Sequence, residues 1–428
     1  MKRTIIRNEK YGLLVFVPDD ACYYRIYDEN LKKLLLDGVQ NKEFNKIKDE
    51  YSLEYKKLKI YNPIFIDNTL IEKNVFVPLE AYFDYTSKCN LNCHYCYNKK
   101  YLNNSTMQPE IVRKIISDFA SLGISRVHLA GGEPTIDYYG LKNYLEECKK
   151  KNLILSMATN GTLLSDKICD LLTSNDLLSI SVSLDNAIEE KNDETRGKKT
   201  YTKIIDGIQR LNKYKAINNS DVELCFKPVY YPNITKEEIN NLIKISLDLG
   251  IQKLKFSNPE RCLEHENGYY GRIKQAYYNS ASLIQECINE NKSELLITNI
   301  TNPYLSDFAI GIEENKGCIG AQELITINPD GRITPCLMNH TNLGNIYNYD
   351  SLKDFLENSV ELQKYYELIS NYDCNCNIYS ACRGGCQIRK IVEYGNILLK
   401  DPLCPMGQVN KKTLQKEKIR KVNVYHSL

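Results

Sequence analysis

Residues 85–98, YTSKCNLNCHYCYN, pack Cys89, Cys93 and Cys96 into one turn-rich loop with the spacing C-x3-C-x2-C. Three thiolates this close can hold three irons of a cubane 4Fe-4S cluster, leaving the fourth iron without a protein ligand and open to a small molecule. A closed structural zinc site is the plain alternative, and it wants a fourth Cys or His nearby. Only His94 is close, and chelation by His94 together with both neighbouring cysteines would strain the loop.

Outward from this loop, apolar strand-like runs alternate with amphipathic helices. The runs are Glu80 to Asp84, Arg126 to Ala130, Leu153 to Ala158, Leu178 to Leu184, Val222 to Pro228 and Lys253 to Phe256. The pattern predicts an α/β fold in which six βα units form a parallel sheet curled into a partial (β/α)6 TIM barrel. A helix opens at Pro109 and repeats Ile111, Ile115 and Phe119 along one face. Active sites of such sheets gather at the C-terminal ends of the strands, and Cys89 follows the first strand. Four further stretches fall at strand ends or in the loops beyond them: AGGEP (130–134), TNG (159–161), SVSLDN (181–186) and DETRG (193–197).

Two flanking regions read differently. In residues 1–75, two β-rich runs, Gly12 to Val17 and Cys22 to Tyr27, flank Pro18, Asp19 and Asp20, a hairpin signal. Asp28 is placed to cap a helix carrying Leu31, Leu34, Leu35 and Leu36 and stopped by Gly38, and Lys42 to Tyr51 suits a second helix. Strands followed by short helices fit a winged-helix-like domain. From residue 305 onward cysteines return at 318, 336, 374, 376, 382, 386 and 404, and the tail KKTLQKEKIRKVN reads as a solvated helix face. Expected domains are therefore 1–75, 78–304 and 305–428.

Charge is nearly balanced, 56 Lys and Arg against 54 Asp and Glu, so nothing global steers the chain to nucleic acid or a membrane surface. No apolar run is long enough to span a bilayer, and Asn8, Glu9 and Lys10 interrupt any signal-peptide core. A cytoplasmic protein is expected. Sixteen cysteines in a reducing compartment point to metal or clusters rather than disulfides, with Cys22, Cys148, Cys169 and Cys225 as core filler.

With Tyr95 as its aromatic, C-x3-C-x-aromatic-C resembles the signature loop of radical S-adenosylmethionine (radical SAM) enzymes. The resemblance implies that the open iron chelates the amino and carboxylate groups of S-adenosylmethionine, whose reductive cleavage yields a 5'-deoxyadenosyl radical. It assigns Gly131, Gly132, Glu133 and Pro134 to the methionine amino group and sets Asn160 beside the cofactor. Ser183 and Asp185 would face its carboxylate and ribose, and Arg196 would pair with the carboxylate. The later cysteines resemble the SPASM extension, which implies one auxiliary cluster on Cys318, Cys336 and Cys386 and another on Cys374, Cys376, Cys382 and Cys404. The first set would keep an open iron unless Cys262 or Cys287 completes it. The C-x-C of Cys374 and Cys376 departs from the usual C-x2-C.

The run GLLVFVPDDACYYRIYDENLKKLLLDG resembles PqqD-like domains that capture leader peptides of ribosomally made natural products as an extra strand on a sheet edge. A DNA-reading winged helix or a packing appendage is the alternative. Together these resemblances imply a peptide maturase with S-adenosylmethionine and three 4Fe-4S clusters, served by a flavodoxin or ferredoxin-like reductant. Its simplest product is a thioether crosslink in a precursor peptide. A formylglycine-forming maturase is a rival, but such relatives carry an acid where this chain has Leu337. A metal-sensing DNA-binding regulator is a rival of another class. Arg261, Glu264 and His265 are candidates for substrate contact.

Overall fold

The computed structural model describes residues 3–9, 12–18, 22–69, 75–257, 268–299, 318–370, 384–404 and 419–422. The N-terminal module begins with an antiparallel meander of β1 (Ile5–Glu9), β2 (Gly12–Val17) and β3 (Cys22–Ile26), as the hairpin signal predicts. Helices Glu29–Asn41, Asn45–Glu50 and Ser52–Leu58 follow, and β4 (Ile64–Asp67) returns parallel to β1. Asp28 caps its helix, Oδ1 accepting from the Leu31 N–H at 2.9 Å. Gly38 does not stop that helix: it lies where the Phe44 ring packs, so close that a Cβ would sit 2.6 Å from the ring. Strand alternation buries Leu13, Val15 and Val17 under the helices, while Leu14, Phe16 and Tyr23 pack on Leu79.

Arg7 fastens this module to the rest. Fully buried, it donates to the carbonyls of Pro78 (2.8 Å), Val77 (2.9 Å) and Gly123 (3.1 Å). The Glu9 carboxylate also accepts from Nη2, while Nε is buried with no partner; a buried guanidinium is tolerated because partners of this kind offset its desolvation.

The six expected strands are all present: β5 (Glu80–Phe83), β6 (Arg126–Leu129), β7 (Ile154–Thr159), β8 (Leu177–Val182), β9 (Glu223–Phe226) and β10 (Lys253–Phe256). They pair in parallel in that order. Six is too few, however. β11 (Leu296–Asn299) adds in parallel to β10, and on the opposite flank β12 (Leu324–Ile327) adds in parallel to β5, followed by antiparallel β13 (Arg332–Thr334) and β14 (Gly344–Asn345). The resulting ten-stranded sheet is consistent with a partial barrel extended by the C-terminal region. Its added strands have two to four residues.

The two faces of the sheet differ. One carries Leu129, Met157, Val182, Phe226 and Phe256 into a core with the flanking helices, where Cys148 and Cys169 also lie as expected. The other, inner face is polar: Glu80, His128, Ser156, Ser179 and Ser181 line it, with His128 Nε2 2.8 Å from Glu80 Oε2. Cys225 belongs to this inner face and not to the helix core, since it lies in register with Ser181. Parallel strands covered on both faces are ordinarily apolar throughout, so a polar inner wall marks a working surface.

The tail departs from its expected helix. Where it is described, β15 (Ile419–Val422) pairs antiparallel with the outer edge of β3, Ile419 opposite Ile26 and Val422 opposite Tyr23. The N-terminal sheet thus has the order β15-β3-β2-β1-β4. An unpaired edge offers a row of backbone donors and acceptors, which outweighs the helical reading of a basic run. Among the described residues no helix is long and apolar enough to cross a membrane.

Candidate active site

The loops after β5, β6, β7 and β8 converge on the cysteine loop. The Gly132 N–H donates to Thr86 O at 3.0 Å and the Glu133 N–H to Lys88 O at 2.7 Å. A Cβ on Gly132 would sit 2.2 Å from Lys88 O, and one on Gly131, whose φ is 63°, 2.5 Å from Thr86 O. These glycines therefore admit the backbone that leads into the cysteines, a close approach different from the expected one to a ligand. Beneath them Asp84, at the end of β5, accepts from the Ala130 N–H at 2.8 Å, and burial pushes its carboxyl up to about 7.

Glu133 is buried and its carboxylate ties two strand ends together. It accepts from Thr135 N (3.0 Å), Thr135 Oγ1, Thr159 Oγ1 (2.7 Å) and Asn160 N (2.7 Å). Asn160 Nδ2 donates in turn to Asn90 Oδ1 at 2.9 Å, and Asn90 to Thr162 Oγ1 at 2.9 Å, strapping the cysteine loop to TNG. The Pro134 carbonyl accepts from Tyr85 Oη at 2.7 Å. Ser183, half-buried, follows β8 and donates its N–H to Thr159 O at 3.0 Å.

Tyr95, Asp185 and Arg196 form one buried cluster. Asp185 Oδ2 accepts from Tyr95 Oη (2.6 Å) and Thr195 Oγ1 (3.0 Å), while Oδ1 accepts from the Val229 N–H (3.1 Å). Arg196 Nη1 donates to Tyr95 Oη and lies 3.5 Å from Asp185 Oδ2. Burial works against the Arg196 charge, but Tyr95, Asp185 and Cys93 more than offset it, so the guanidinium is held firmly protonated. Its Nε is buried with no partner. A free donor beside Cys93 is what a carboxylate ligand would use.

The three loop cysteines are half-buried. Burial raises all three thiols, Cys96 to about 11, and the Arg196 charge partly counters this at Cys93. Among the described residues no three Cys, His, Asp or Glu side chains converge on one ion. The thiols nevertheless stand within electrostatic reach of one another, an arrangement suited to a cluster in which each binds its own iron.

A second set gathers around Tyr365. Burial raises this phenol well above its ordinary range, and Cys318, Cys336 and Cys386 raise it further, which puts three thiols from distant parts of the chain about one side chain. Asn339 Nδ2 reaches Tyr365 Oη at 3.3 Å, and Tyr365 bonds Gln387 Oε1. Cys404 packs with Tyr270, Tyr277, Ile388 and Leu403, a cluster against which Cys386 also packs. Cys287 lies in the main core with Lys236, Glu286 and Glu290 as its charged neighbours, so it does not complete the set around Tyr365. Cys374, Cys376, Cys382 and Cys262, with Arg261, Glu264 and His265, lie outside the described residues.

Sequence reasoning missed the contact joining the two cysteine regions. The His340 ring stacks on Tyr101 at 4.1 Å, its Nε2 lies 3.2 Å from Tyr97 O, and the Arg332 guanidinium covers Tyr101 at 4.3 Å. No spacing rule singles out these residues.

Residues 84–245 match the profile of the radical SAM superfamily, and residues 318–387 that of SPASM, an iron-sulfur cluster-binding domain. The chain thus carries a radical SAM domain and a SPASM domain. Over 350 residues it is 22% identical to the PqqA peptide cyclase of Bradyrhizobium diazoefficiens, covering 78% of this chain and 88% of that protein. It is 30% identical to the GTP 3',8-cyclase of Clostridium perfringens over 38% of this chain and 50% of that one, so the chain spans only half of that relative. In fold it is similar to SuiB of Streptococcus suis, with a TM-score of 0.69 at 19% identity, covering 94% of this chain and 99% of SuiB.

Proposed function

We propose that this radical SAM enzyme modifies a ribosomally made precursor peptide, installing a crosslink between a cysteine sulfur and a carbon of another residue. The observation that carries the reading is the meeting of two cysteine sets, the loop 89–96 strapped by Glu133, Asn160 and Arg196, and the set around Tyr365, across the His340–Tyr101 contact. Support for a peptide substrate comes from the similarity to a peptide cyclase and from the fold shared with SuiB, a structure of which holds its precursor peptide SuiA.

In this reading Cys89, Cys93 and Cys96 hold a 4Fe-4S cluster, with Cys318, Cys336 and Cys386 on a first auxiliary cluster and Cys374, Cys376, Cys382 and Cys404 on a second. When bound, the first cluster and S-adenosylmethionine supply one-electron reduction and a carbon radical that takes a hydrogen atom from the substrate. The chain's own residues position and exclude. Arg196 Nε offers its unpaired donor to the cofactor carboxylate, Tyr95 and Asp185 fix that guanidinium, and Glu133 holds Asn160 against the loop. Gly131, Gly132 and Pro134 set the backbone there, and Ser183 faces the cofactor from β8.

Residues 1–75 would form a winged-helix-like unit that receives the leader, residues 78–304 the radical SAM unit and 305–428 the auxiliary-cluster unit. A flavodoxin or ferredoxin-like protein would supply electrons in the cytoplasm. Leu337, directly after Cys336, packs against the apolar cluster of Tyr82 and Ala130 and provides no base, which weighs against formylglycine formation. The test is the intact mass of a cysteine-containing precursor encoded beside this chain, after anaerobic co-expression. A loss of two hydrogens per crosslink, abolished by Cys93→Ala, supports the reading. Unchanged mass from a preparation that cleaves S-adenosylmethionine refutes the substrate assignment.

A further inference from the structure

Asp401 and Arg389 form an ion pair that the proposed cofactor and substrate contacts leave unused. Both side chains are buried, and the guanidinium grips the carboxylate through two nitrogens, Nη2 donating to Oδ2 at 2.8 Å and Nε lying 3.1 Å from each oxygen. The same residue holds the backbone of two cysteines that the proposed function assigns to different clusters. Asp401 Oδ2 accepts from the Cys386 N–H at 2.7 Å. Oδ1 accepts from the Leu403 N–H at 2.9 Å, and the Asp401 carbonyl accepts from the Cys404 N–H at 2.9 Å. Cys386 is the N-cap of helix Gln387–Tyr394, which carries Arg389, so one pair fixes both the start of that helix and the turn leading into Cys404.

The surroundings of the pair are fastened as well. From helix Tyr269–Glu290, Lys274 Nζ donates to Cys404 O at 2.9 Å and Tyr278 Oη donates to Leu403 O. Glu393 joins the two helices by accepting from the N–H groups of Tyr270 at 2.8 Å and Gly271 at 3.2 Å. On the other side of Cys386, Gln387 Oε1 takes the hydroxyl of Tyr365, about which Cys318 and Cys336 also gather. A buried ion pair adds little net stability over apolar packing of the same volume, so stability alone does not explain this one. Its charge, however, acts on its neighbours. A carboxylate beside a cysteine ligand disfavours the electron that a reduced cluster carries, and by accepting the ligand's N–H it keeps that donor from the cluster sulfurs.

We propose that Asp401, gripped by Arg389, is a positioning residue for the cluster on Cys318, Cys336 and Cys386: it orients Cys386, and its negative charge lowers the reduction potential of that cluster. The proposal rests on the assignment of Cys386 to a cluster in the proposed function, and not on the peptide substrate.

The test is a reductive titration of the anaerobically reconstituted full chain, read by electron paramagnetic resonance, with iron per chain and far-UV circular dichroism measured on every variant. The reduced signal lost in Cys386→Ala marks the cluster concerned. Asp401→Asn should move its potential upward, and Arg389→Gln, which strands the carboxylate, should move it downward. Asp401→Glu, which keeps the charge, should return it most of the way to wild type. Opposite shifts from two changes that break the same pair are what a merely structural role cannot give. Should a single variant fail to fold, the double variant of Asp401→Asn with Arg389→Gln strands no charge, and it should still move upward because the Cys386 amide loses its charged acceptor. Shifts of one sign in both single variants, or a potential unmoved in Asp401→Asn or in the double variant, would overturn the proposal. If Cys386→Ala keeps every signal and the iron of wild type, the cluster assignment itself fails and takes the proposal with it. An unmodified precursor beside the expected shifts would instead remove the maturase reading and leave the role of Asp401 standing.

Discussion

Asp84→Asn tests whether the end of β5 is held at an electrostatic cost. The buried Asp84 carboxyl is raised from an ordinary 3.8 to about 7 by desolvation, despite N–H donors from Ala130 and Gly131. The folded protein then holds a proton between these values that the unfolded chain releases, so stability falls as pH rises from about 4 to about 7, with the full penalty present above 7. A shift of about 3 units at about 1.4 kcal/mol each sets an upper bound of about 4 kcal/mol. Asn can still accept from Ala130 but brings two donors, so a relative gain of about 2 to 4 kcal/mol is expected on going from pH 4 to pH 8. The assay is urea unfolding of the metal-free protein followed by far-UV circular dichroism, since the chain has no Trp. Because other groups titrate equally in both proteins, the difference between wild type and variant isolates Asp84. Parallel pH profiles would refute the reasoning, because they would mean that Asp84 ionises as an ordinary carboxylate.

Three further outcomes are expected. Gly132→Ala places a methyl 2.2 Å from Lys88 O, so it should push the cysteine loop away and lower the iron bound per chain, measured by metal analysis after anaerobic reconstitution. Arg196→Met leaves the buried Asp185 carboxylate without its cation and should cost about 3 to 5 kcal/mol in urea unfolding, with Arg196→Lys losing less. Lys227→Met should stabilise the protein at pH 7 by up to about 3 kcal/mol. Its folded value of about 8 lies below the ordinary 10.5, so the wild-type chain gains stability as pH rises from 8 to 10.5; the variant should lack that rise in pH-dependent unfolding.

The main sheet was legible because its strands are apolar runs separated by helices with clear stops, and the cysteine loop because three thiols at that spacing admit few chemistries. β11, although as long as β5, escaped, and so did the two-residue β14; what makes each a strand is the neighbour it pairs with in the fold. Glycine was seen but its neighbour was not. Gly131 and Gly132 meet the backbone of Thr86 and Lys88, a contact that only the folded chain brings about. Tyr365 and His340 carry no local signal, since each is defined by residues from other parts of the chain that reach it.

The seat taken by β15 changes how a peptide can join the N-terminal sheet. Each edge accepts one strand, and β3 already has one. A newcomer that adds to β3 must wait for the tail to leave, so its measured affinity is the intrinsic one multiplied by the fraction of molecules whose edge is vacant. A tail docked nine times in ten would cost a guest peptide about tenfold. Among the described residues the opposite border, β4, bears no such tenant. Which border a guest selects therefore decides whether it competes with the enzyme's own chain.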